Sequence, residues 1–258
     1  MISSRSNPKV KEIQKLQSNQ RYRQQSQKFV VEGWRLIKEI PFHQIERIYI
    51  QETQLEKLQS IDSSREWDVE QVSDSVMKAM SKETTSQGIL AIVYMKPLIV
   101  EMSLPDKPLI IALENVQDPG NLGTILRTAD AAGVDLVLLS KGTVDLYNPK
   151  VVKATMGAIF RMNILKDVDL NSYIENLKEK DVHVFAAHLE GIKNHYEGNY
   201  IEGTCFLIGN EGDGLSRDLS SLATDYIKIP MRSEAESLNV AVATSILVYE
   251  AVRQRGID

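Results

Sequence analysis

The stretch 229–252 constrains the fold most strongly, because it joins the end of a buried strand to a helix that is apolar on every side. The strand at 226–229 ends at Pro230, which lacks the N–H group that a continuing central strand needs. A helix that is apolar all round is normally buried, in a core or against a partner. The polar residues that precede this helix are Glu236, Ser237 and Asn239. Serine is a good N-cap residue, so helix capping is the simplest interpretation of Ser237.

Apolar runs alternate with helix-like segments on both sides of the stretch 96–108, which contains three prolines and little periodicity. Such alternation is typical of α/β domains. We therefore predict an α/β protein with a small domain at 1–96, a linker at 97–107 and a larger domain at 108–258. The small domain is expected to have a largely parallel sheet.

The composition excludes several classes of protein. Cys205 is the single cysteine, so neither an internal disulfide nor a CxxC-type metal site is available. The four histidines have no ligand spacing, and we predict no metal. No apolar run approaches the roughly 20 residues of a membrane span, and the N-terminus lacks the apolar segment of a secretion signal. We predict a cytoplasmic protein with no membrane contact.

The N-terminal segment is basic although the whole chain has a net charge of −5. Before residue 39 the only acidic residues are Glu12 and Glu32. A cationic segment on an acidic protein is typical of binding to a phosphate backbone, whereas the simpler interpretation is a solvated helix face. Charge alone leaves both open. The candidate residues for binding a nucleic acid are Arg5, Lys9, Lys11, Lys15, Arg21, Arg23, Lys28 and Arg35.

Three segments of the C-terminal part combine an apolar strand, a turn rich in Gly, Asn or other polar residues, and a helix. They are ENVQDPGNLGTILRTADAAG at 114–133, LIGNEGDGLS at 207–216, and IPM with ESLNV at 229–240. The glycines fit neither G-x-G-x-x-G nor G-x-x-x-x-G-K-[ST], which disfavours a dinucleotide-dependent oxidoreductase or an NTPase. Together the segments resemble the three signature motifs of the SpoU/TrmH family of RNA 2′-O-ribose methyltransferases in the SPOUT superfamily.

The N-terminal half is similar to the L30e-like RNA-binding domain that precedes the catalytic domain in several family members. The matching pieces are NPKVK at 7–11, FVVEG at 29–33 and QGILA at 87–91. The resemblance therefore implies an L30e-like substrate-binding domain, followed by a SPOUT α/β-knot domain with a parallel sheet and a deep trefoil knot.

The resemblance also implies S-adenosylmethionine (AdoMet) as co-substrate and RNA as the methyl acceptor. It implies that three loops hold AdoMet in a bent form through Gly209, Ile229 and Leu238, with Ala187 as a fourth contact. The family's catalytic residues match Asn121 and Arg127 in the first motif, Glu211 in the second, and Ser237 and Asn239 in the third.

The implied reaction transfers a methyl group to a ribose 2′-hydroxyl. An arginine with a pKa above about 12 stays charged in proteins, so we assign Arg127 an electrostatic role toward an RNA phosphate or the developing alkoxide. Asn121, Ser237 and Asn239 are expected to fix Arg127 and the ribose by hydrogen bonds. The simpler interpretation of Arg127 is a surface residue paired with Asp130 at i+3.

The resemblance further implies a homodimer, which we expect to bury Leu238, Val242, Ile246 and Tyr249 of the final helix. ESLNVAV at 236–242 together with the basic N-terminal part most resembles family members that act on ribosomal RNA, which implies 23S ribosomal RNA as substrate. A tRNA 2′-O-methyltransferase and a non-catalytic RNA-binding or ribosome-assembly protein are the alternatives. The sequence departs from the family pattern at Ser233, where glycine is common, and at Ala241, where serine is common.

Overall fold

The computed structural model describes residues 1–61, 66–96, 103–189, 191–232 and 237–256. The chain folds into two compact units, one formed by 1–97 and 147–160 and the other by 98–146 and 161–258. Part of the predicted linker, Ser233 and Glu236 lie outside the described residues. Within the described ranges, the helices are all too short or too polar to cross a membrane.

The helices, numbered along the chain, are α1 (Pro8–Ser18), α2 (Gln20–Ser26), α3 (Trp34–Glu39), α4 (Leu55–Gln59), α5 (Asp74–Met80), α6 (Pro119–Ala131), α7 (Pro149–Ala154), α8 (Ala158–Arg161), α9 (Leu170–Glu179), α10 (Arg217–Ser220) and α11 (Val240–Arg255). The strands are β1 (Lys28–Glu32), β2 (Ile45–Gln51), β3 (Val69–Val72), β4 (Ile89–Tyr94), β5 (Leu109–Leu113), β6 (Leu136–Ser140), β7 (Ile164–Val168), β8 (His183–Ala187), β9 (Lys193–Asn194), β10 (Thr204–Ile208) and β11 (Asp225–Lys228).

The sheet of the first unit has the strand order β1-β4-β2-β3. β4 is antiparallel to both of its neighbours, β1 and β2, while β2 and β3 pair in parallel. The prediction of a largely parallel sheet is therefore wrong. Strand–helix alternation suggests parallel crossovers, but the last strand of this unit inserts between two earlier ones and runs opposite to both, which gives two antiparallel ladders.

Helices α1 and α5 bury one face of this sheet. α1 begins where the sequence predicts, because the Asn7 side chain accepts a hydrogen bond from the first turn and Pro8 occupies the first helical position. Val10, Ile13 and Leu16 recur at helical spacing and are fully buried. They share a core cluster with side chains of α5, β2 and β4.

Arg23 belongs to the interior of this unit. α2 places the Arg23 side chain beneath the end of α1, where it is only 3% exposed. Its Nη1 donates a hydrogen bond of 2.7 Å to the carbonyl oxygen of Leu16, which lies in the last turn of α1. The guanidinium thus satisfies a carbonyl that the helix end leaves without an intrahelical partner. We correct the prediction that Arg23 binds RNA, because burial removes it from the surface.

The sheet of the second unit is parallel, as predicted, with the order β7-β6-β5-β10-β8-β11-β9. β5 and β10, at its centre, are buried along their whole length, which is typical of parallel strands covered on both faces. In a parallel sheet all carboxyl ends lie at one edge. The loops after β5, β8, β10 and β11 therefore meet at that edge, where open α/β sheets bind ligands.

Helix α11 lies against α6 and β10. Its N-cap is Asn239, whose side chain accepts from the backbone N–H groups of Ala241 and Val242. The capping interpretation of Ser237 is therefore wrong, because Asn239, two residues later, is the N-cap. The helix is also not covered on every side, since Val242 is 48% and Tyr249 is 49% exposed.

Candidate active site

A cavity of about 730 Å³ opens at the carboxyl edge of the parallel sheet. Its walls are the loops after β5, β8 and β10 and the segment that leads into α11. The volume lies within the range of roughly 300–1,000 Å³ that is usual for small-molecule sites. The predicted site residues in its lining are Asn121, Ala187, Gly209, Glu211, Ser237, Leu238 and Asn239. The fold thus brings residues of all three motifs to one place.

The carboxylate of Glu211 joins the second motif to the first. Its Oε2 accepts from the backbone N–H of Gln117 at 3.1 Å, and its Oε1 accepts from the backbone N–H of Asp118 at 3.1 Å. Asn121 Nδ2 donates to the same Oε1 at 3.0 Å. Hydrogen bonds to an ionised acceptor are stronger than neutral ones. They hold the loop after β5 against the loop after β10.

Asn121 continues this connection to the third motif. Asp118 caps α6 by accepting from the Asn121 N–H at 2.8 Å, which places Asn121 in the first helical turn beside the cavity. Asn121 Oδ1 accepts from Asn239 Nδ2 at 2.9 Å, and Asn239 in turn caps α11. We call the row of Glu211, Asn121 and Asn239 the polar bridge. Glu211 at one end and the α11 backbone at the other determine the orientation of both amides.

The pKa of Glu211 is lowered from its ordinary value. Partial burial by itself raises this pKa, but the hydrogen bonds from Asn121 and from the backbone N–H groups of Gln117 and Asp118 stabilise the carboxylate and give the net direction. Glu211 is therefore ionised at neutral pH. An ionised acceptor that is already fully engaged is suited to positioning the loops and not to accepting a proton.

Ile229 lies in a second, smaller cavity of about 130 Å³. Three predicted residues, Ala187, Ser237 and Leu238, line both this cavity and the larger one. The four predicted cofactor residues thus occupy two adjoining spaces with a shared wall. His188, which was not among the predicted site residues, also lines both spaces.

Arg127 does not line either cavity. It is exposed on α6, six residues after Asn121, which places it about 240° around the helix from that residue. The alternative ion pair with Asp130 is not formed, because Asp130 accepts from Arg161 Nη2 at 2.6 Å. The expected hydrogen bonds between Arg127 and the amides of Asn121 and Asn239 are also not formed, since these two amides bind each other and their neighbours.

A second group of amides in the same loops was not predicted. Gln117 Nε2 donates to Asn115 Oδ1 and to the Gly142 carbonyl oxygen, both at 2.6 Å. Asn210 Nδ2 donates to the Asn115 carbonyl oxygen at 2.7 Å. These contacts join the loops after β5, β6 and β10. The sequence could have indicated these residues, because Gln117 and Asn210 lie in the first and second motifs, each between a strand and a helix.

The candidate RNA-binding residues divide into three groups. Lys9 forms an ion pair with Glu70, and Lys28 forms one with Glu46 at 2.7 Å. Arg23 is buried, as described above. The exposed members, which form no ion pair with a carboxylate of any described residue, are Arg5, Lys11, Lys15, Arg21 and Arg35.

Comparison with known proteins assigns each half of the chain to a known family. Residues 108–249 match the SpoU rRNA methylase family, and residues 7–91 match the MRM3-like substrate binding domain. One relative is the 23S rRNA (guanosine(2553)-2′-O)-methyltransferase RlmP of Bacillus subtilis (strain 168). It is 34% identical over 253 residues, which cover 96% of this chain and 97% of the relative.

Solved structures agree with this assignment over the whole chain. A crystal structure of an RNA 2′-O ribose methyltransferase has a TM-score of 0.84 at 30% identity and covers 99% of each chain. An AdoMet-bound rRNA methyltransferase from Sinorhizobium meliloti has a TM-score of 0.84 at 30% identity, with 98% and 97% covered. The chain belongs to the SpoU rRNA methylase family of RNA 2′-O-methyltransferases. The predicted family and fold class are confirmed.

Proposed function

We propose that this protein transfers a methyl group from AdoMet to a ribose 2′-hydroxyl of 23S ribosomal RNA. The observation that carries the proposal is the polar bridge, which joins all three motifs beside a cavity of suitable size. The RlmP relative and an RlmB relative from Vibrio parahaemolyticus, 32% identical over 193 residues, are both named for guanosine 2′-O-methylation of 23S rRNA. These names support the choice of substrate.

The residues of the larger cavity fit AdoMet. Gly209 has no side chain and therefore exposes its backbone at the cavity wall. Ala187 and Leu238 supply apolar surface, and Ile229 extends this surface into the adjoining cavity. The polar groups of the same lining, among them Asn121, Glu211 and Asn239, can fix the orientation of a bound ligand. When bound, AdoMet supplies an electrophilic methyl group on a sulfonium centre.

Gly209 gives a direct test of this cofactor site. A Cβ at position 209 would lie 2.1 Å from the Gly214 carbonyl carbon and 2.2 Å from the Leu215 nitrogen, so alanine must displace backbone. Overpacking of this kind costs about 1–3 kcal/mol. We expect Gly209→Ala to raise the Kd for AdoMet about tenfold, measured by isothermal titration calorimetry. Gly212→Ala is the matched control, because its Cβ would meet only the Asn210 side chain at 3.4 Å. Equal affinity of both variants would contradict the proposal.

The reaction breaks the methyl–sulfur bond and forms a carbon–oxygen bond at the ribose, while the hydroxyl proton passes to solvent. A ribose hydroxyl is a weak nucleophile, so charge that develops on its oxygen needs stabilisation. We assign this role to the Arg127 guanidinium. Because Arg127 is exposed and lines no cavity of its own protomer, we propose that it meets the RNA at the surface that α6 and α11 present to a second subunit.

The function is tested by methyl transfer to defined RNA. Purified protein is incubated with AdoMet carrying a labelled methyl group and with 23S rRNA or tRNA from a strain that lacks the gene. Nuclease digestion and mass spectrometry of the product should then give one 2′-O-methylated nucleoside in 23S rRNA. Label in tRNA alone would identify tRNA as the substrate in place of 23S rRNA. AdoMet binding without transfer to either RNA would favour the non-catalytic alternative.

The proposed homodimer is supported by the outer face of α11. Val242, Ile246 and Tyr249 recur at helical spacing, and two of them are about half exposed. Leu238, also partly exposed, lies just before the helix. An apolar stripe at this spacing is typical of a helix that packs against a partner.

We expect Val242→Asp combined with Tyr249→Asp to convert the dimer to a 29.1 kDa monomer, because burying two carboxylates in an apolar contact is unfavourable. Light scattering at micromolar concentration measures the mass. Ile201→Asp is the control, since Ile201 is equally exposed (49%) but lies outside α11. The proposal fails if the wild type is monomeric or if the double variant keeps the mass of a dimer.

We also retain three further parts of the interpretation. The trefoil knot is retained as a proposal that follows from membership of the SpoU rRNA methylase family. The division into an RNA-binding domain at 1–96, a linker at 97–107 and a catalytic domain at 108–258 is supported by the two family matches, whereas residues 147–160 group with the first compact unit. A cytoplasmic location is consistent with a ribosomal RNA substrate.

A further inference from the structure

We propose that His188 is a binding and specificity-determining residue of the cofactor site, and that its imidazole contacts the adenosine half of AdoMet. The inference rests on the proposed function for the identity of the cofactor. His188 directly follows β8 at the carboxyl edge of the parallel sheet, where open α/β sheets bind ligands. It belongs neither to the three sequence motifs nor to the polar bridge.

His188 lies where the two cavities of the site meet. The wall that both cavities share is formed by Ala187, His188, Leu189, Ser237, Leu238 and Ala243. The other five side chains of this wall are small or aliphatic. Among the described lining residues that the cavities share, His188 is thus the only one with a ring or with side-chain nitrogen atoms. A ligand that occupies both cavities therefore passes beside this imidazole.

The backbone at His188 is fixed on both sides. Its N–H donates to the Ile227 carbonyl oxygen at 2.9 Å, which extends the pairing of β8 with β11. Its carbonyl oxygen accepts from the Gly191 N–H at 3.0 Å. Gly191 itself lies so close to β11 that a Cβ there would be 2.6 Å from the Ile227 carbonyl carbon. The position from which the His188 side chain projects is therefore set by the end of β11.

The imidazole ring is oriented by Tyr226 of β11. The two ring centres are 5.8 Å apart and the ring planes are inclined by 76°, which is an edge-to-face arrangement. Such aromatic pairs are favourable beyond the area that they bury. His188 is only partly buried, so the residue remains accessible to a ligand. A side chain that is oriented before the ligand arrives loses less conformational entropy on binding.

The chemistry of the two cavities indicates which half of AdoMet meets His188. The apolar residues that line only the smaller cavity are Ile227, Ile229, Met231 and Leu247, and Lys228 is the one charged residue among its described lining. The carboxylates of Asp118, Glu211 and Asp213 line only the larger cavity. AdoMet has an uncharged purine at one end and a charged amino acid group at the other. Because charged groups are costly to bury in apolar surroundings, the purine fits the smaller cavity and the shared wall.

Imidazole and adenosine are complementary in their hydrogen-bonding groups. In either protonation state an imidazole has at least one N–H donor, and the purine ring nitrogens and ribose hydroxyls of adenosine are acceptors. The face of the imidazole can also stack on the purine. A site that forms a hydrogen bond to its ligand discriminates strongly against a ligand that lacks the partner group. His188 therefore supplies a selectivity for adenosine that the aliphatic part of the shared wall cannot supply.

The test compares AdoMet with 5′-methylthioadenosine, which retains the adenosine half and lacks the amino acid. Isothermal titration calorimetry measures the Kd of both ligands for the full-length protein. We expect His188→Ala to raise both Kd values about tenfold, since it removes a ring contact and a hydrogen bond. His188→Phe should raise them about threefold, because phenylalanine keeps a ring but lacks the N–H. His183→Ala, the same substitution at the exposed amino end of β8, is the matched control and should leave both Kd values unchanged.

A double-mutant cycle tests whether Tyr226 is a positioning residue for His188. Tyr226→Leu should raise the Kd for AdoMet about threefold in the wild-type background and by no further factor in the His188→Ala background, because Tyr226 acts on the cofactor only through His188. Equal losses in both backgrounds would overturn the proposal that an oriented imidazole binds the cofactor. Melting temperatures are measured in parallel, and His188→Phe remains informative if the alanine variant unfolds.

The inference is overturned if His188→Ala binds both ligands like the wild type, or if His183→Ala loses as much affinity. It is also overturned if His188→Ala weakens AdoMet and not 5′-methylthioadenosine, since His188 would then contact the amino acid half. Methyl transfer to RNA is measured with the same wild-type preparation. Loss of affinity for both ligands in His188→Ala, together with a wild type that transfers no methyl group, would refute the proposed function and leave the inference intact.

Discussion

Replacement of Asn121 by alanine should lower kcat for methyl transfer about 100-fold, because Asn121 is the middle member of the polar bridge. The change removes a donor from the ionised Glu211 and an acceptor from Asn239. A hydrogen bond to a charged group contributes about 1.5–3 kcal/mol and a neutral one about 0.5–1.5 kcal/mol. Loss of both hydrogen bonds can account for a kcat about 100-fold lower if the loops must stay joined in the transition state.

Asn121→Asp should be more damaging at neutral pH and should have a distinctive pH profile. It keeps the shape of the side chain but places a carboxylate about where Nδ2 now lies, 3.0 Å from Glu211 Oε1. Two carboxylates at this distance share a proton, so one of their pKa values rises. Activity of the Asp variant should therefore increase as the pH falls from 8 to 5.

The wild type should not show this pH dependence. Its Glu211 pKa is lowered, so the bridge contributes stability above the ordinary glutamate pKa of about 4.3 and loses it only as the pH falls through the lowered value. Its activity should not depend on Glu211 between pH 5 and 8. Asn171→Ala on α9, an exposed amide with no role in the site, is the control. An Asn121→Asp variant as active as wild type at pH 8 would refute the role of the bridge.

Replacement of Arg127 by alanine should lower kcat by about 100- to 1,000-fold, the usual loss when a preorganised electrostatic group is removed from a reacting oxygen. The Kd for AdoMet should stay within about twofold, because Arg127 lines neither cavity. Arg127→Lys should recover only part of the rate, since lysine keeps the charge but lacks the planar fork of donors. Methyl transfer and calorimetry measure the two quantities.

The fold around Arg127 makes this prediction easy to interpret. Asp130 is already bound to Arg161, so removing the Arg127 side chain breaks no ion pair within the described chain and should leave the melting temperature unchanged. Arg217→Ala on α10 is a matched surface control. If Arg127→Ala retains wild-type kcat, Arg127 is an ordinary surface residue.

Much of the fold follows from local signals in the sequence. Asn7 and Pro8 start α1 where capping preference predicts, and the buried runs of β5 and β10 read as parallel strands covered on both faces. The N-terminal sheet does not follow from such signals. Its mixed character depends on the long-range insertion of β4 between β1 and β2, and no local pattern specifies where a strand inserts.

The site was predicted as a set of residues but not as a set of contacts. The motifs place Asn121, Glu211 and Asn239 near one another, yet their mutual hydrogen bonds depend on how each amide is oriented by its neighbours. Ser237 illustrates the same difference between residues and contacts. Helix-capping preference favoured Ser237 as the N-cap of α11, but Asn239, two residues later, caps the helix. For Arg127, the six-residue spacing from Asn121 already implies a different helix face.

One side chain, Asn239, holds two parts of the molecule at once. Its oxygen accepts from the first N–H groups of α11, and its amide nitrogen donates to Asn121. Unravelling the first turn of α11 therefore releases the joined loops, and separating the loops frees the helix start. Opening of the catalytic cleft and fraying of the last helix should accordingly be a single event, with one common rate of amide hydrogen exchange at Ala241, Val242 and Asn121.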